Sequence, residues 1–234
     1  MQTTTQNRAG LSGNQLKLLA LITMTLDHVG VYLLPQYPIL RIFGRLALPI
    51  YAFMIAEGCR HTRNRKKYLG LMIGLAVICQ AVYLFAMGSV YQCILVTFSL
   101  SIGLCYLVDF ARMRNTLLPW ALAAAGFACA VFLCVFLPGL LPGTDFHIDY
   151  GIFGVLLPVL IYLGRTKSEQ LLLAAAGLCL LSMYAGGIQW FSLAALIPLA
   201  LYSGTRGKAK MKYLFYFYYP AHLAVLYLIS QLLF

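Results

Sequence analysis

The basic residues of this chain fall on every second connection between its apolar stretches, and few folds tolerate that arrangement. Helix-length apolar runs occupy residues 16–34, 42–59, 68–87, 92–110, 117–137, 148–164, 170–185, 189–203 and 213–233. A helix needs ~20 such residues to cross a bilayer, fewer where it is short or bent. Fifteen of the seventeen Lys and Arg lie on one set of segments: the N-terminal flank (Arg8, Lys17) and the second, fourth, sixth and eighth connections. The other connections hold none, apart from Arg41 beside the second run; Arg45 lies within that run. The positive-inside rule turns this alternation into a topology. It predicts an all-α polytopic membrane helix bundle of about nine transmembrane helices, with the N-terminus cytoplasmic and the C-terminus outside. Moving the count by one helix would destroy the pattern.

Composition agrees. The chain is 62% hydrophobic and 10% charged, with mean hydropathy +0.85, whereas a soluble domain carries ~25% charged residues. The formal net charge of +11 is therefore read as topology and not as a nucleic-acid surface. Residues 1–15 form a polar N-terminal segment, and 16–234 a single transmembrane domain. The first apolar run carries Asp27 and His28 and lacks a small-residue cleavage site, so a removable signal peptide is not expected. Seven cysteines without a CxxC read as small buried hydrophobes. Gly70 and Gly74 have the GxxxG spacing of close helix packing, and Gly186-Gly187 suits a tight connection.

The informative residues are those that pay for being polar in hydrocarbon. An ionisable group at the centre of a membrane helix costs at least ~2.5–3.5 kcal/mol. Asp27 and His28 sit about halfway along the first run, and a carboxylate beside an imidazole can orient the ring and raise its basicity. Arg41 and Arg45 share a helix face before Pro49, where a kink is expected, and suit an anionic ligand or pairing with Asp27. Lys17 falls on nearly the same face as His28, ~16 Å away along the axis. Glu57 and His61 stand at i and i+4 before a basic run, Arg60, Arg63, Arg65, Lys66 and Lys67, able to grip phosphates or anionic headgroups. Tyr219, Pro220 and His222 mark a helix whose freed carbonyls could line a cavity. Asp145, His147 and Asp149 read as a solvated outer loop, with acceptor binding as the functional alternative and no metal expected. Asp109 and Glu169 are explained by interfacial pairing with Arg112, Arg114 and Lys167.

Long segments of the chain carry a family resemblance: LKLLALITMTLDHVG (16–30), LRIFGRLALPIYAFMIAEGCRHTRNRKKYL (40–69), DYGIFGVLL (149–157), LYSGTRGK (201–208) and KYLFYFYYPAHLAVLYLI (212–229). With them the chain resembles the TraX family of bacterial membrane proteins, named for the pilin N-acetylation function of F-type conjugation. That family is similar to a wider group of membrane acyltransferases that use cytoplasmic acetyl-CoA. The group's first-helix Arg and His match Lys17 and His28 here. Residues 75–145 match poorly.

The resemblance implies an acyltransferase in the bacterial cytoplasmic membrane. His28 would be the catalytic base, with Asp27 holding its ring and Arg45 stabilising the oxyanion or holding Asp27. Acetyl-CoA is the implied acyl donor, with Lys17, Arg60, His61, Arg63, Arg65, Lys66 and Lys67 on its phosphate side. Arg41, Glu57, Asp149, Tyr219 and His222 would meet the acceptor, which could be a peptide amine, a glycan or a small molecule. Membrane lipids are the remaining partner. Two rival classes stay open: a proton- or ion-coupled small-solute transporter using Asp27, Arg45, Glu57 and His222 as a relay, and an assembly factor without turnover.

Overall fold

The computed structural model describes residues 10–207 and 212–233. Arg8, Lys208 and Lys210 lie outside the described residues. Every element is helical apart from two isolated bridges, Leu11–Tyr202 and Gln92–Ile148. The helices are α1 (Gly13–Tyr32), α2 (Pro38–Gly44), α3 (Ala47–His61), α4 (Arg65–Met87), α5 (Ile94–Arg114) and α6 (Leu117–Val131). A π-turn, Phe132–Phe136, continues α6 into α7 (Leu137–Leu140). Then come α8 (Gly151–Leu163), α9 (Lys167–Ala185), a 3-10 stretch Gly187–Ala195, α10 (Leu196–Ala200) and α11 (Lys212–Leu233). Among the described residues, five helical segments are long and apolar enough to cross a membrane: Pro38–His61, Arg65–Met87, Ile94–Arg114, Leu117–Leu140 and Lys167–Ala185.

Local chemistry explains the boundaries. Ser12 opens α1 with a capping box: its hydroxyl accepts from the Gln15 N–H, and Gln15 Oε1 accepts from Ser12 N. Thr166 and Glu169 do the same for α9. Gly186 and Gly187, at φ +67° and +52°, make the sharp return between α9 and the 3-10 stretch. The kink expected beside Pro49 is present: the second span breaks at Arg45–Leu46, where the Pro49 ring would meet the Arg45 carbonyl four residues back, and Pro49 itself sits in the first turn of α3.

The bundle has two distinct ends. At one, Leu11 and Gly13 donate to the carbonyls of Leu201 and Thr205, and Lys167 Nζ donates to the carbonyls of Ala200 and Tyr202. Arg65 pairs there with Asp109 at 2.6 Å. Arg60, Arg112, Arg165, Lys167 and Arg206, from the second, fourth, sixth and eighth connections, line cavities at this basic end. At the opposite end Gln92 exchanges backbone bonds with His147 and Asp149, and Asp145 accepts from Ser89 Oγ and Val90 N. The core between them is apolar, with Leu16, Ile50, Phe53, Ile102, Leu157, Leu178 and Leu199 fully enclosed.

The GxxxG expectation is overturned. A Cβ on Gly70 or Gly74 would meet nothing within 4 Å. Close approaches occur elsewhere, among them one between α1 and α2. A Cβ on Gly44 would overlap Asp27 Cβ, and one on Gly30 would lie 3.0 Å from Arg41 Cγ.

Candidate active site

α1 delivers Asp27 and His28 near the end away from the basic connections, with His28 one turn before Tyr32. This is deeper toward that end than the midpoint expected from sequence. Asp27 Oδ1 accepts from Arg45 Nη2 and lies 3.8 Å from Arg41 Nε. The buried Arg45 guanidinium also donates to the Arg41 carbonyl (3.3 Å), the Tyr150 hydroxyl (3.2 Å) and Gln189 Oε1 (3.4 Å). A carboxylate met by two guanidiniums satisfies the demand that buried charge be paired. It also ties α1 and α2 to the start of α8 and to the 3-10 stretch. Tyr150 enters α8 at φ +58°, a left-handed conformation that costs a bulky residue of order 1–3 kcal/mol and persists only where surroundings enforce it. Here Thr97 Oγ1 and Gln92 hold the backbone of Asp149 beside it.

His28 takes a different partner. Its Nδ1 lies 2.7 Å from His222 Nε2, with the two rings stacked 5.0 Å apart. His222 Nδ1 is 2.9 Å from the Tyr218 carbonyl, which can only accept, so Nδ1 of His222 carries a hydrogen. In the neutral pair His222 Nε2 then accepts from His28 Nδ1–H. The unprotonated nitrogen of His28 is Nε2, the form a general base requires.

The His28 ring lines an outer cavity of about 290 Å³, with Asp27, Arg41, Arg45, Asp149, Tyr150 and Tyr219. Met24, Tyr51, Ile94 and Tyr219 are shared with a narrower apolar chamber of about 140 Å³ in the middle of the bundle. That chamber shares Lys17, Met54 and Tyr68 with a polar cavity of about 450 Å³ at the basic end. Glu57, His61, Tyr202 and Gly204 link the polar cavity in turn to a basin of about 870 Å³. Four cavities that share wall residues thus follow one another between the basic end and His28.

A family model described as TraX protein matches residues 12–230. The chain belongs to the TraX family. It is 30% identical over 239 residues to a protein of Dichelobacter nodosus named probable fimbrial assembly protein FimC, serogroup H1, covering 92% of this chain and 94% of that one. It is 24% identical to an uncharacterized protein of Rickettsia prowazekii (strain Madrid E), covering 79% of this chain and 67% of that one. No solved structure matches significantly.

In this TraX family member the expected site residues divide into two groups. Asp27, His28, Arg41, Arg45, Asp149 and Tyr219 surround the outer cavity, and His222 stands behind His28. Lys17, Glu57 and His61 line the cavities at the basic end. Glu57 is therefore not beside the proposed base: it pairs with Arg60 at 2.8 Å, ~18 Å along the chain from Arg45 by helix rise. Asp27 does not hold the imidazole, because Arg45 and Arg41 claim it. Arg60 is committed to Glu57 and to the carbonyls of Ile161, Tyr162 and Gly164, closing the C-terminus of α8. Arg65 is committed to Asp109, which also accepts from the Tyr162 hydroxyl; Arg112, Arg114 and Lys167 are not its partners. Arg63, Lys66 and Lys67 are exposed and line none of the four cavities. In the outer loop, Asp145 clamps Ser89 and Val90, whereas Asp149 faces the cavity and accepts from the Tyr91 hydroxyl at 2.7 Å.

Sequence reasoning missed Tyr32, Tyr51, Tyr83, Tyr91 and Tyr150, which give the outer cavity its phenolic wall, and Gln189 behind Arg45. It also missed Arg206, Asn14 and Tyr68 at the basic-end cavity. The sixteen tyrosines of the chain were the available signal for the first group.

Proposed function

We propose that this chain is a membrane acyltransferase that moves an acetyl group from cytoplasmic acetyl-CoA to an amine or hydroxyl acceptor. In this reading it crosses the bacterial cytoplasmic membrane nine times, and its basic end faces the cytoplasm, as the positive-inside rule requires. The single observation that carries the reading is the series of cavities joining that end to an imidazole whose Nε2 is unprotonated.

The thioester arrives through the apolar chamber, past Lys17 and Met54. His28 Nε2 takes the proton of the acceptor N–H or O–H as the acceptor attacks the thioester carbonyl. The new C–N or C–O bond forms, the C–S bond breaks, and the CoA sulfur leaves with the proton returned from His28. Such base catalysis contributes typically ~10²–10⁴-fold. His222 orients the ring, and Arg45 fixes Asp27. Arg41, Asp149 and Tyr219 face the acceptor. The name of the Dichelobacter relative adds a fimbrial subunit to the acceptors worth testing.

The test uses the purified full chain in nanodiscs with acetyl-CoA and mixed amine and hydroxyl acceptors, following free thiol release and acetyl transfer to the acceptor. Acceptor-dependent release supports the reading. No release, together with solute or proton flux in proteoliposomes, overturns it in favour of a transporter.

A further inference from the structure

The basin at the basic end, about 870 Å³, falls in the ~300–1,000 Å³ range of small-molecule sites and has no role so far. Its charges do not cancel. Glu57 is taken by Arg60, and Asp109 by Arg65 with a hydrogen bond from Tyr162. Glu169, next to this wall, turns its carboxylate to the backbone N–H groups of Arg165 and Thr166 and interacts with the Arg165 charge, short of an ion pair. Among the described residues, Arg112, Arg165 and Lys167 on the basin wall make no ion pair. Lys167 is positioned by two backbone carbonyls, which hold the ammonium without neutralising it. Gly164 and Gly204 leave part of the rim without side chains.

We infer that the basin binds the phosphorylated nucleotide head of the acyl donor, with Arg112 and Arg165 as its phosphate-gripping residues and Lys167 as a fixed third cation. Guanidiniums suit phosphate oxygens because they bind them bidentately with charge assistance. The site meets the polar cavity at Glu57, His61, Tyr202 and Gly204, so a thin arm leaving the head can turn there toward Lys17 and the apolar chamber. This assignment rests on the acyltransferase reading and replaces Arg63, Lys66 and Lys67 as the phosphate contacts: both sets are exposed, but only Arg112, Arg165 and Lys167 stand on the basin wall.

Binding of CoA and of adenosine 3′,5′-bisphosphate is measured by calorimetry on the full chain in neutral-lipid nanodiscs. Arg112→Ala/Arg165→Ala is compared with Arg63→Ala/Lys66→Ala/Lys67→Ala. Losing two charge-assisted contacts predicts at least ~10-fold weaker binding of both ligands in the first variant, and wild-type binding in the second. The first variant should still accept acetyl from acetyl-pantetheine, which lacks the nucleotide. Unchanged CoA affinity in the double variant overturns the assignment. So does absent nucleotide binding in wild type combined with charge-dependent binding of phosphatidylglycerol vesicles, which would make the basin a lipid-headgroup site. Failure of wild type to turn over either thioester while it binds CoA through Arg112 and Arg165 sinks the acyltransferase reading and leaves the basin assignment standing.

Discussion

His28 Nδ1 and His222 Nε2, contributed by α1 and α11, lie 2.7 Å apart, and this contact fixes which nitrogen of His28 is basic. Substituting His222 should therefore act through His28. His222→Ala is expected to lower acetyl transfer by ~10-fold or more and to shift the pH–rate profile. His222→Gln, whose Oε1 can accept from Nδ1–H, should recover part of the rate. An equal loss in both variants with an unmoved profile would assign His222 to packing alone.

Arg45 joins Asp27, Tyr150 and Gln189 inside the bundle. Removing one partner of a buried pair costs ~3–5 kcal/mol because the other charge is stranded. Arg45→Met should thus destabilise strongly in denaturant titrations in mixed micelles, and adding Asp27→Asn should return most of the loss. Additivity of the two changes would show that the pair is not coupled.

Glycines on two helix faces should behave oppositely. Gly44→Ala drives a methyl into Asp27 and should cost ~1–3 kcal/mol through overpacking. Gly70→Ala and Gly74→Ala meet open space, and each should stabilise by ~0.4–1 kcal/mol. Thermal unfolding of the three variants decides.

Met54 is shared by the polar cavity and the apolar chamber. Met54→Trp should block the arm while leaving CoA binding at the basic end intact. Turnover should fall by at least ~10²-fold, the scale at which misplaced reactants lose rate, with little change in the calorimetric CoA affinity.

Asp145 is exposed, and hydrogen bonds from Ser89 Oγ and the Val90 N–H hold its carboxyl below the usual carboxylate range. A depressed folded-state pKa gives stability that is present above the unfolded value near ~4 and is lost as pH falls through the folded value. Residues 88–92 should loosen on acidification, read as faster amide exchange after correction for the intrinsic rate. Asp145→Asn should remove that pH dependence.

The helical order and the two ends were legible in sequence because hydrophobic period and basic flanks are local signals. Asp27, His28, Arg41 and Arg45 were legible for a related reason: charge inside an apolar run has few explanations. What the sequence hid was pairing between distant segments. Nothing near Arg60 announces that α8 will offer three carbonyls to it. Nothing near Asp27 says whether Arg45 or His28 will take its oxygen. Tyr32, Tyr83, Tyr91 and Tyr150 resemble ordinary interfacial aromatics until α1, α4, α5 and α8 bring them around one cavity.

The decisive measurement is steady-state acetyl transfer by His28→Gln beside wild type at matched folded fraction. A fall of ~10²–10⁴-fold is expected, with CoA affinity retained. Transfer at the wild-type rate would rule out His28 as the base.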